Sequence, residues 1–246
     1  MILEICVDSL VSARAAIAGG ADRLELCSAL ALGGLTPYTA LLHQIREESN
    51  IPVRCLIRPR SGDFLYQPEE IDLMASQIRE LKDAGVNGFV IGCLTADGNL
   101  DASAMTPLIE AAADSGLTLH RCIDVSRDPL QTYLDATKLG FDTVLTSGAA
   151  SSCSAGIEML NKLLELRDTF NGPEILVGAG VSPSNICDLH AALPKARAFH
   201  ASCKELIESS MQFRRADIPM GLPGLDEWHI QQTSETQVRM LKKSLC

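Results

Sequence analysis

The feature that most constrains this chain is a change of hydrophobic period, repeated from one end to the other. Short apolar runs of β type alternate with longer stretches whose apolar residues recur every three or four positions. The short runs read as strands at Ile2–Val7, Arg23–Cys27, Val53–Arg58, Gly88–Gly92, Leu117–Cys122, Thr143–Leu145, Glu174–Val177 and Ala198–Ala201. Between them, helical patterns cover Val11–Ala18, Thr39–Glu48, Glu69–Asp83, Ala102–Ala113, Leu130–Leu139, Gly156–Arg167 and Pro183–Ala192. Several helices carry their own stop signals, such as Asp83-Ala84-Gly85, Asp114-Ser115-Gly116 and Lys138-Leu139-Gly140. Asp128-Pro129 and Ser182-Pro183 are the N-cap and N1 pairs expected to open two others.

A strand followed by a helix, eight times over within 246 residues, predicts α/β architecture closed as a (β/α)8 barrel of the TIM type. A doubly wound sheet is the alternative. Its G-x-G-x-x-G fingerprint is missing from the first unit, and Gly178-Ala179-Gly180 comes late and lacks the third glycine. No shift of composition marks a boundary, so residues 1–246 are read as one barrel domain, with 205–246 a C-terminal extension ending in a helical pattern at Ser234–Lys243.

With 46% hydrophobic and 21% charged residues, a large core is available and wholesale disorder is not expected. A formal net charge of −10 gives no basic footprint for nucleic acid or an anionic membrane. No apolar run approaches the roughly 20 residues of a membrane span, and no basic segment followed by an apolar one opens the chain as a secretory signal would. Nine cysteines, an odd number, are then expected as reduced thiols in the cytoplasm, and the absence of C-x-x-C argues against structural zinc.

The strand ends carry the chemistry. Leu3-Glu4-Ile5-Cys6 on the first strand is echoed by Leu24-Glu25-Leu26-Cys27 on the second. Alternation puts Glu4 and Cys6 on one face, as it does Glu25 and Cys27, while Leu3, Ile5, Val7, Leu24 and Leu26 suit packing against helices. Adjacent parallel strands lie about 4.8 Å apart, so two neighbouring thiols are expected inside the mouth, with two carboxylates one layer below. Arg58, Arg60 and Asp63 follow the third strand; Thr118, His120, Cys122 and Asp124 are expected on one face of the fifth. Barrels place their sites at this C-terminal face and often bind phosphate in the last loops. The small loops Thr146-Ser147-Gly148, Gly178–Gly180 and His200–Ser202, with Arg60, are therefore candidate anion sites.

Together, "LEIC", "GADRLELC", "GGLTP", "IRPRSGDF-Y", "HR-ID", "LTSG", "GAGV" and "M-FR" resemble the CutC family from Ile2 to about Gly221. Ser61 stands where that family usually has a second glycine, and Cys122-Ile123 where Ala-Phe is usual. The resemblance implies a TIM-type barrel, a cytosolic homodimer or homotetramer, and a copper homeostasis protein holding Cu(I) at Cys6 and Cys27.

Two kinds of ligand thus compete for the mouth: a copper ion and a small anionic metabolite. Thiolates select Cu(I), although free cysteines are equally at home filling a core layer. The other six cysteines, Cys55, Cys93, Cys153, Cys187, Cys203 and Cys246, are assigned to packing or surface, with Cys122 left open. Glu4, Glu25, Arg58 and His120 read either as a buried ion network or as an aldolase- or isomerase-like catalytic set joined by Asp124. Two glutamates against one arginine leave excess negative charge, suiting a cation or a carboxyl of raised pKa. His120 is the expected proton carrier.

Overall fold

The computed structural model describes residues 1–215, 217–218 and 227–245; Met220, Gly221 and Cys246 lie outside them. Eight parallel strands close into a barrel in chain order. They are β1 (Ile2–Val7), β2 (Arg23–Leu26), β3 (Val53–Leu56), β4 (Gly88–Ile91), β5 (Gly116–Leu119), β6 (Thr143–Thr146), β7 (Glu174–Val177) and β8 (Ala198–Ala201). The crossover helices are α1 (Leu10–Gly19), α2 (Thr39–Glu48), α3 (Pro68–Asp83), α4 (Ala102–Ala112), α5 (Pro129–Lys138), α6 (Ile157–Phe170) and α7 (Ile186–Ala192). The expected α/β barrel is the fold observed.

Caps work as their chemistry dictates. The Asp128 carboxylate accepts from the Leu130 and Gln131 N–H groups ahead of Pro129. Ser182-Pro183 does not open α7: residues 182–185 form a turn, in which Ser182 N–H donates to Asn185 Oδ1, and the helix begins at Ile186. β2 and β4 each end one residue earlier than expected, and two strands stop well short. β3 ends at Leu56, and β5 ends at Leu119, after which Arg121–Val125 coil into a 3-10 turn. Cys122 and Asp124 therefore leave the strand alternation expected of them.

The outward faces of the strands and the inward faces of the helices make one continuous core, with Leu3, Ile5, Leu24, Val53, Phe89, Leu119, Val144, Ile175 and Phe199 buried in it. Inside the barrel lie two small apolar clusters, Cys27–Leu56–Val90 and Leu145–Leu176–Ala198. Near the N-terminal strand ends, Arg54 donates to Thr118 and Thr143 and pairs with Asp142 at 2.7 Å, closing that end with a satisfied polar layer.

Past the barrel, β9 (Lys204–Glu208) pairs antiparallel with β10 (His229–Thr233), and α8 (Glu235–Ser244) packs on α1. The α1–α8 approach is close: a Cβ on Gly19 would stand 2.5 Å from Val238 Cβ. No helix among the described residues is long and apolar enough to cross a membrane.

Candidate functional site

Register, rather than chain position, decides what meets at the mouth. Closing eight tilted strands requires a stagger between neighbours. On β1 and β2 this sets Glu4 level with Arg23 and Cys6 level with Glu25. On the other side β8 sets His200 level with Glu4. The expected thiol-on-thiol, carboxylate-on-carboxylate arrangement is thus corrected by one alternation. Cys6 faces Glu25, and the Cys27 Sγ lies 3.5 Å from Glu25 Oε2, to which it donates.

The result is a chain of charges running through the barrel wall. Arg23 Nε donates to Glu4 Oε2, and His200 Nδ1 donates to Glu4 Oε1 at 2.8 Å. The other ring nitrogen, Nε2, is 3.8 Å from Glu25 Oε2. Desolvation works against the Glu4 charge, but His200 and Arg23 outweigh it and hold the carboxyl down at about 2. Burial pushes the Glu25 carboxyl up, with the Glu4 charge adding to it and His200 opposing. For His200, burial is outweighed by Cys6, Glu25 and Glu4, which hold the imidazole well above its ordinary value and keep it protonated. Arg23 and His200 therefore balance the two glutamates, and the expected negative excess against Arg58 is absent. Arg23 shares the inward parity of Glu25 and Cys27, so its signal was present in the sequence.

Above this chain opens a cavity of about 310 Å³. It is lined by the clustered Cys6, Glu25 and His200 and by Arg58, Phe64, His120 and Arg121. Leu30, Leu32 and Gly33 from the loop after β2 cover it, with Leu56 and Leu145 below. Cys6 Sγ, a Glu25 oxygen and a His200 nitrogen lie within 4.8 Å of one another, a spacing at which all three could hold one metal ion.

His120 follows from a local device. A Cβ on Gly92 would be 2.6 Å from its Cε1 and 2.5 Å from Cys122 Sγ, so the ring sits where only glycine lets it. Its Nδ1 accepts the Cys122 N–H at 3.1 Å, which leaves the proton on Nε2. Desolvation, with Arg58 adding, pulls its pKa down to about 3, so His120 is a neutral donor at working pH rather than the near-neutral titrating group expected of it.

Several expected site residues lie elsewhere. The Asp124 carboxylate accepts from Thr146 Oγ1 and from the Ser147 and Ala149 N–H groups, and receives Arg121 Nε at 2.7 Å. It thereby occupies the backbone donors of Ser147 and Ala149, and the Gly148 N–H between them goes to Thr146 Oγ1, so none of the three is left for an anion. The Gly178 N–H pairs with the Thr146 carbonyl, and the Gly180 carbonyl accepts from Asn185. Ser202 lines a separate cavity of about 120 Å³ together with Cys6, Asp8 and Lys204. Arg60 is engaged by Glu70 at 2.6 Å and by Asp63, and stacks over Tyr66 outside the mouth cavity.

A family model described as the CutC family matches residues 1–205. A family protein CutC from Chromobacterium violaceum is 41% identical over 245 residues, covering 99% of this chain and 98% of the relative. A family protein CutC from Vibrio campbellii is 40% identical with the same coverage. Among solved structures, the putative copper homeostasis protein CutC from Streptococcus agalactiae superposes with a TM-score of 0.77 at 27% identity, covering 82% of this chain and 98% of that one.

Proposed function

The chain belongs to the CutC family, and on that premise we propose that it binds copper as Cu(I) at the barrel mouth, in copper homeostasis in the cytoplasm. The observation carrying this reading is the convergence of Cys6 Sγ, His200 and Glu25 within 4.8 Å on one cavity wall. A thiolate with an imidazole suits a soft ion. Glu4 supplies the supporting carboxylate that fixes a ligating histidine: it holds Nδ1–H, and a metal ion binding at Nε2 beside Cys6 and Glu25 would displace the proton held there and release it to solvent. Cys27 is the second thiol, reached through Glu25 rather than directly beside Cys6. Eight free cysteines among the described residues suit a reducing compartment. Exposed Leu206 and Ile230 on the β9–β10 hairpin suit a homodimer or homotetramer, which sedimentation would reveal.

Anaerobic Cu(I) titration against a competing chelator tests the metal site. One tight site per chain is expected, weakened at least tenfold in Cys6→Ser and in His200→Gln and unchanged in Cys187→Ser. Equal affinity across all four proteins would refute it.

A second reading, an aldolase- or isomerase-like enzyme, is favoured by one cavity lined both by a Glu25 carboxyl of raised pKa and by the neutral His120. Glu25 would then move a proton, Arg58 and His120 would hold the substrate, Glu4 would position His200, and Asp124 would position the β6 loop. His120→Asn should abolish a growth or metabolite phenotype while leaving Cu(I) affinity intact; an unaltered phenotype would refute this reading.

A further inference from the structure

The same cavity holds a cation with no counter-charge. Arg58 is 8% exposed, and no carboxylate among the described residues pairs with it. Its Nη1 donates to the Leu32 and Gly34 carbonyls at 3.1 and 3.0 Å, and Nη2 donates to the Gly62 carbonyl at 2.9 Å. Nε–H has no partner. Next to it, His120 is 5% exposed and its Nε2–H is also unpartnered. Phe64 joins the two, lying 5.3 Å beneath the Arg58 guanidinium and 4.7 Å from the His120 ring. A buried charge without a counter-ion and a buried donor without an acceptor are each costly. Both residues line the one cavity although the two orphan nitrogens are themselves covered, so an acceptor that displaces their cover and reaches them would relieve both.

We propose that the Arg58–His120 end of this cavity binds a carboxylate oxygen of a small organic acid. The donor count selects the class. Arg58 has five N–H groups and has spent three on carbonyls, which leaves Nε–H and one N–H on Nη2. With His120 Nε2–H these make three donors, a number that the two oxygens of one carboxylate can take up. A phosphate dianion asks for more donors, and the loops that could supply them have given their N–H groups to Asp124 and Thr146. The body of the acid lies against Phe64, Leu30, Leu32 and Leu145, and about 310 Å³ puts it at the small end of ligand pockets. This names the ligand class for the substrate end of the enzyme reading; none of these groups is a copper ligand and binding requires no turnover, so the site can be tested apart from both copper binding and catalysis.

The test is a titration of the metal-free full chain, followed through the side-chain N–H resonances of Arg58 Nε and His120 Nε2. Pyruvate, malonate and inorganic phosphate are the probes. Pyruvate or malonate should shift both resonances saturably and bind at least tenfold more tightly than phosphate. His120→Phe, which keeps the ring against Phe64 and removes the donor, should weaken carboxylate binding at least tenfold. Arg58→Lys, which keeps the charge and removes Nε–H, should do the same. No saturable shift with any probe, tighter binding of phosphate, or wild-type carboxylate affinity in a folded His120→Phe overturns the proposal. Because copper is absent throughout, such a failure leaves the Cu(I) titration unaffected.

Discussion

His120 should make the protein lose stability as pH falls from about 6.5, and replacing it should flatten that loss. The folded ring has its pKa pulled down to about 3 by burial and by Arg58, whereas the unfolded ring titrates near about 6.5. Between these values the unfolded chain binds a proton that the folded one refuses, so acid favours unfolding. The contribution is complete above about pH 6.5 and fades at roughly 1.4 kcal/mol per pH unit. Between about pH 6.5 and 5.0 it amounts to about 2 kcal/mol. Glu4, held at about 2, adds no large slope in this window, because its loss falls below the usual carboxylate range. His200, raised instead, is protonated in the folded state and contributes its slope above about pH 6.5, where stability falls as pH rises. Urea unfolding of wild type and His120→Asn across the window isolates the effect. With a slope of about 3 kcal/mol/M, wild type should lose about 0.7 M more of its midpoint than the variant. Parallel pH profiles for the two proteins would show that His120 charges freely in the folded state, and the neutral-donor assignment would fail.

Glu4→Gln leaves Arg23 and a protonated His200 without their shared buried counter-charge, and should cost about 3–5 kcal/mol in urea unfolding at neutral pH. The contribution of the Glu4 charge should be present above about pH 4.5 and fade as pH falls toward 2, so the gap between wild type and Glu4→Gln should narrow in acid. Gly92→Ala drives a methyl into Cys122 Sγ and His120 Cε1, and should cost about 1–3 kcal/mol while shifting the His120 Nε2–H resonance; an unmoved resonance would contradict the contact. Asp124→Ala strips acceptors from Thr146, Ser147 and Ala149, and should speed hydrogen exchange at the last two amides and cost about 1–3 kcal/mol. Unchanged exchange there would mean that the loop holds itself.

Alternation along a strand is a property of the backbone, and so the inward aim of Glu4, Cys6, Glu25 and Cys27 was legible from the letters alone. The period-switching pattern likewise determined the barrel, with β1, β7, β8 and α2 matching their expected bounds to the residue. Register was not legible, because the stagger between β1 and β2 is set by closure of all eight strands and leaves no mark in either segment. That stagger exchanged a pair of thiols for Cys6 against Glu25, and gave Glu4 to Arg23 and His200. The hairpin partner of Lys204–Glu208 lies beyond a long connection, and every residue of that strand is exposed, so no apolar alternation announced it. Protonation belongs to the tertiary structure for the same reason. His120 and His200 are the same side chain by composition, but one is buried beside a guanidinium and the other between two carboxylates, and those surroundings make the first neutral and the second charged.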